Sequence, residues 1–223
     1  MLVMTDHIAN IEKVFALVDK VDYIEGLSTY NRHQVTIRKI AEHYNFGFVQ
    51  AVAAFVSLSP NNSQMGNYRS LVSIMKGLNE GVNSEAIKIA TYNHCKNRAI
   101  LYLTGEADFL METKGPKIIS FYYNIIQPEN PRYITIDGHI YSIWKGKRHT
   151  VKAVAMSRWE KSYNEIAKDF FKVAKKNNLT PCQLQAMLWF TWKRINKVLY
   201  SPQMNLLVDQ WNIDLNPETI QPF

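Results

Sequence analysis

The chain has 223 residues, enough for one large compact domain or two small lobes. Hydrophobic residues make up 47%, which argues against a disordered chain, and no apolar run reaches the roughly 18 residues of a membrane span. Lysine and arginine outnumber aspartate and glutamate by 26 to 19, a formal charge of +7 that favours a polyanionic partner, although modest basicity is also common in proteins that bind nothing acidic.

The opening "MLVMTDHIANIEK" carries an early acidic residue and no signal-peptide core, so an intracellular, cytoplasmic protein is expected. Next, "HIANIEKVFALVDKV" sets Ile8, Ile11, Val14, Phe15 and Val18 on one helical stripe. "RHQVTIRKIAEHY" repeats the pattern, and "FGFVQAVAAFVSLS" is apolar on every side, which predicts a buried helix. "QMGNYRSLVSIMKGL" and "HCKNRAILYLTG" read as shorter helices, each closed by a glycine near its end.

"DFLMETKGPKIISFYYNII" reads as helix, tight turn, helix. Gly115 can supply the positive φ that such a turn demands, and Pro116 and Lys117 open the following apolar helix. The unpaired N–H groups at that helix start suit a phosphate, with Lys114 and Lys117 adding charge at the same place. A plain helical corner with solvated lysines would read the same way. "YITI" alternates like a strand but is too short to seed a sheet. Asp137 follows it, placed to cap the helical segment "GHIYSIW".

Two long helices are expected after that. "SRWEKSYNEIAKDFFKVAKKNN" is amphipathic and basic toward its end; in "LTPCQLQAMLWFTWKRINKVL", Thr180 caps, Pro181 takes the first helical position and Gln183 completes a capping box. The fold class predicted is all-α, with about nine to eleven helices. The two cysteines, Cys95 and Cys182, are too few for a cysteine-ligated metal and read as buried fillers.

The hairpin "METKGPKII" and the segment "TIDGHIYSIW" together resemble the helix-hairpin-helix (HhH-GPD) superfamily of DNA glycosylases, the group containing endonuclease III and 8-oxoguanine glycosylase. That family carries a hairpin of the type L-P-G-V-G-[PR]-K-T-A, an apolar helix, then V-D-T-H-[VI]. "SLSPNNSQMGNYRSL" looks like the family's loop that pushes into the duplex, and "NHCKNRAILYLTG" like the basic helix before the hairpin. The likeness runs from Phe46 to Trp144. It departs at Thr113, where a hairpin glycine is usual, at Gly138, where threonine is usual, and in a Lys-to-Asp interval lengthened by "QPENPR". The segments "SPNN…GNYR" and "GPK…DGH" are also similar to a phage- and bacteria-borne branch, alpha-glutamyl/putrescinyl thymine pyrophosphorylase-like, discussed in connection with hypermodified bases.

The resemblance implies two helical lobes around a cleft, a central lobe at 46–127 and a second at 1–45 plus 128–223 that carries the aspartate. It implies cleavage of an N-glycosidic bond in double-stranded DNA bearing a damaged or modified base, by a monomer without cofactor or metal. The cysteine loop that holds an iron–sulfur cluster in some members is absent, so none is expected. Asp137 would stabilise the cationic sugar, and Lys117 matches the amine of lyase-competent members, or else holds phosphate. Lys114, Gly115, Arg98 and Lys145 would meet the strand, joined by Lys147 and Arg148; Asn61, Asn62 and Gln64 would fill the gap left by the flipped base or contact its orphan partner, although "SPNNS" reads equally as ordinary turn chemistry. Tyr122, His139, Trp189 and Trp192 would line a base pocket, although aromatics at helical spacing are more often core. The alternative is a non-catalytic DNA-binding protein on the same scaffold.

Overall fold

The computed structural model describes residues 6–149 and 160–198. The regular structure among these residues is all helical, with no strand: α1 His7–Phe15, α2 Lys20–His43, α3 Phe48–Ser57, α4 Gln64–Asn79, α5 Asn93–Thr104, α6 Phe109–Glu112, α7 Pro116–Ile126, α8 Gly138–Lys145, α9 Glu160–Lys176 and α10 Pro181–Ile195. "YITI" runs as an unpaired connection into α8. The closing segment "NLLVDQWNIDLNPETIQPF" and the start of "SRWEKSY" lie outside the described residues. No helix among the described residues is long and apolar enough to cross a membrane.

The chain divides into two compact units. Among the described residues, the first takes in 6–32, 114–149 and 160–198, and the second 33–113. These divisions differ from 45/46 and 127/128. His33 lies with the second unit because its ring meets Tyr68 and Gln64. Helix α7 lies with the first because its inward side chains are bonded there, Asn124 to Thr135 among them.

In the first unit, α1, α8, α9 and α10 close on a core that includes Ile11, Ile134, Ile140, Phe170, Leu184 and Leu188. Burial of aliphatic side chains of this size contributes roughly 1.5–3 kcal/mol each, before the entropy of ordering is subtracted. Thr180 caps α10 in a complete capping box with Gln183, and Pro181 sits at the helix start, as its sequence predicts. Asp22, only 4% exposed, ties α2 to α10: its Oδ2 accepts from Arg194 Nε at 2.9 Å, Arg194 Nη2 at 2.6 Å and Thr191 Oγ1 at 2.9 Å. The two helices come very close at Gly26, where an added Cβ would stand 2.8 Å from the Met187 Cα.

In the second unit, α3 packs on α5 and α4, and Ala51 through Val56 are buried, as an all-apolar helix requires. Helix α5 ends on Gly105 in the left-handed conformation at φ 77°. Gly77 has a different role from the terminator expected of it. It lies inside α4 where Ile87 crosses, and the chain turns at Gly81, φ 67°.

The basic character expected of α5 is only partly outward. Lys96 is 5% exposed, and its ammonium donates to the carbonyls of Ser84 at 2.7 Å, Ile87 at 3.0 Å and Glu85 at 3.4 Å. A tethered cation thus gathers the loop between α4 and α5. Lys96→Met keeps the stem but strands these carbonyls, so a loss of roughly 2–3 kcal/mol is expected. Urea unfolding of the two proteins checks it; equal midpoints would refute the account.

Candidate active site

Asp137 is the N-cap of α8, and both of its carboxylate oxygens are engaged. Oδ1 accepts the backbone N–H groups of His139 and Ile140, each at 2.9 Å. Oδ2 accepts the indole N–H of Trp189 on α10, also at 2.9 Å. The half-buried His139 stands edge-on to Trp189, ring centres 6.1 Å apart. Lys193, one helical turn beyond Trp189, lays its ammonium 3.9 Å from the indole centre. Helices α8 and α10 pack against each other, which brings cap, indole and amine into one cluster.

Burial lowers the Lys193 pKa from its ordinary value, and the Asp137 charge works in the opposite direction without reversing it. Lys193 was not among the residues picked out from sequence. Its signal is the i, i+4 spacing Trp189–Lys193, which stacks the two side chains on one helical face.

Beneath Asp137 lies a buried polar layer. Tyr30 donates to Gln185 Oε1 at 2.6 Å, and Asn124 Nδ2 donates to Thr135 Oγ1 at 3.0 Å. Tyr163 donates to the Ile134 carbonyl at 2.6 Å and accepts the Ile136 amide at 2.9 Å, gripping the chain just ahead of the cap. Burial raises the phenols of Tyr30 and Tyr163, the latter to about 12, so both stay protonated donors. The apolar helix α7 therefore carries a polar inner stripe, Ser120 and Asn124, four residues apart.

Along the chain, the stretch from α6 to α7 runs helix, connection, helix. Four-residue α6 ends at Glu112, Thr113 is extended, and Pro116 starts α7. Gly115 does not take positive φ; it is the α7 N-cap at φ −77°, ψ 118°. The Gly115 carbonyl takes the amides of both Ile118 and Ile119 at 3.1 Å, and Pro116 has no donor. Of the first helical turn, Lys117 contributes the amide that these bonds leave over, with exposed Lys114 beside it. Nothing lies within 4 Å of a Cβ built on Gly115, so Gly115→Ala is expected to change stability by about 0.5 kcal/mol or less. A melting temperature within a degree or two of wild type is the check; a large drop would mean that the turn does need glycine.

Lys117 and Asp137 form no ion pair. Among the aromatic candidates, Trp189 and His139 stand with Asp137. Tyr122 and Trp192 are interior side chains at 6% and 8% exposure, and Trp192 belongs to the apolar core, so neither offers an open face to a base. Lys145 lies 4.6 Å from the Trp144 ring centre, near the C-terminal end of α8. In the second unit, Arg98 and Asn61 are exposed, and Asn61 takes the left-handed conformation at φ 51°. Asn62 donates to the Leu58 carbonyl at 3.2 Å, and Gln64 meets His33 at 2.5 Å.

A family described as "Family of unknown function (DUF7178)" matches residues 2–196. The chain belongs to this family. No curated protein and no solved structure matches it. Among the described residues of this DUF7178 chain, no three His, Cys, Asp or Glu side chains gather as a metal site would require. Cys95 and Cys182 are both buried and free.

Proposed function

We propose that this chain is a DNA glycosylase that acts on a flipped-out damaged or modified base in double-stranded DNA. The observation that carries the reading is Asp137, held at the start of α8 by two amides and by the Trp189 indole, with His139 and Lys193 around it. As the N-glycosidic bond breaks, positive charge builds on the sugar, and a carboxylate fixed in a part-buried aromatic setting stabilises it without reorganising. The amide and side chain of Lys117, with Lys114 and Gly115, would hold a phosphate at the α7 start. Arg98 and Lys145 would add strand contacts, and Asn61, Asn62 and Gln64 would occupy the vacated stack. An amine-dependent strand-cutting step is part of the reading.

A second reading, a non-catalytic helix-hairpin-helix DNA-binding module, is favoured by one fact: both Asp137 oxygens are already engaged, Oδ1 by the α8 cap amides and Oδ2 by the Trp189 indole. The test is incubation with duplexes carrying a panel of oxidised, alkylated and hypermodified bases, followed by measurement of free base. Release from one or more supports the glycosylase. Tight, salt-sensitive DNA binding with no release from any would favour the module.

A further inference from the structure

Resting on the glycosylase reading, we propose that Lys193 is the amine that attacks the sugar beside Asp137, with Lys117 left to hold the strand. Three arrangements in the first unit converge on it. The Lys193 ammonium lies 3.9 Å from the Trp189 ring centre, and the same indole donates to Asp137 Oδ2 at 2.9 Å, so one side chain spaces amine and carboxylate. The next residue, Arg194, is pinned to the buried Asp22 by two hydrogen bonds, and Thr191 binds that same oxygen. The last turns of α10 are thereby fixed, with Arg194 committed to α2 and Lys193 committed to the Asp137 side. Lys193 is also partly withdrawn from water, which favours the neutral amine that a nucleophile must be. Lys117 is half-buried like Lys193, but it stands in the first turn of α7 beside exposed Lys114 and Gly115, a place suited to phosphate.

In the step, the neutral Lys193 nitrogen gives its lone pair to C1′ of the flipped nucleotide. The N-glycosidic bond breaks and its electron pair leaves with the base. The substituted ammonium passes one proton to the departing base, with Asp137 stabilising the charge. The C1′–O4′ bond then opens, O4′ keeps the pair and takes a proton from water, and a protonated Schiff base remains. On a preformed abasic site the amine adds to the aldehyde form and water leaves, giving the same species. Hydride from borohydride converts it to a stable secondary amine.

The experiment uses the full chain, a duplex with a single abasic site and sodium borohydride, so it does not depend on knowing the base. The trapped adduct is digested and the modified peptide located by mass spectrometry. An adduct on Lys193 of the wild-type chain, lost in Lys193→Arg and in Lys193→Ala, is the expected result. Lys193→Arg keeps the cation on the indole but removes the amine, so its loss of adduct separates chemistry from folding. An adduct on Lys117 or any other lysine, or no adduct from the wild-type chain, overturns the assignment. Free base is measured in parallel on the modified-base panel. Release without a Lys193 adduct sinks this inference and leaves the glycosylase standing, whereas no release from any duplex counts against the glycosylase itself.

Discussion

On the glycosylase reading, Asp137→Asn is expected to lower base release by roughly 100- to 1000-fold, the scale seen when one preorganised electrostatic group is removed from an active site. Asparagine is a sound choice because it caps helices about as well as aspartate, so α8 should still start at Gly138. The amide cannot, however, reproduce all three bonds. If its oxygen accepts from His139 and Ile140, its NH₂ faces the Trp189 N–H, donor against donor. A stability loss of about 1–2 kcal/mol should accompany the lost activity for that reason. Single-turnover release on whichever duplex proves reactive, with a parallel melt, separates the two effects. Full-rate release from the folded variant would remove Asp137 from the mechanism.

Gly26→Ala should be the most damaging small substitution in the first unit. A Cβ at this site would lie 2.1 Å from Met187 Cγ, 2.7 Å from its backbone nitrogen and 2.8 Å from its Cα. The methionine side chain can swing away, but the backbone of α10 cannot, so α2 and α10 must separate. Overpacking of this kind costs about 1–3 kcal/mol and occasionally more, against at most about 1 kcal/mol gained from the better helix propensity of alanine. The net expectation is a loss of about 2 kcal/mol. For a chain of this size that lowers the melting temperature by roughly 4–8 °C. The shift should be seen by circular dichroism at the helical band, with Gly115→Ala as the neutral comparison. A melt equal to or above wild type would show that α2 and α10 can part without loss.

Nothing local in the sequence marks Gly26 as a close-approach site. Its environment is made by Met187, 161 positions away, and no local pattern records which glycine will meet another backbone. The helices themselves were legible because their signals are local. The Thr180–Gln183 box, the Pro at both α7 and α10 starts, the Asp137 cap and the all-apolar α3 are each set by residues within one or two turns. The site was legible in halves. Asp137 announced itself as a cap, but its partner Trp189 lies 52 residues on and could be read only as an aromatic at helical spacing. Lys193 was hidden for the same reason. Gly115 failed differently: glycine permits positive φ without requiring it, and here the chain turns through extended residues at Thr113 and Gly115.

The lysine threaded into the α4–α5 loop changes what the formal +7 means for a charged partner. Affinity for a nucleic acid polyanion follows the number of phosphates actually touched and counterions released, not the algebraic sum over the chain. Lys96 is sequestered by carbonyls, Arg32 is drawn to Glu25, and Arg194 is drawn to Asp22. Lys96 is an internal fastener, while the more exposed Arg32 and Arg194 are held by buried carboxylates. On the proposed reading, strand contact falls to cations that face water and are not drawn to a carboxylate, such as Arg98, Lys114, Lys147 and Arg148, so affinity for DNA would be set by where a few cations stand.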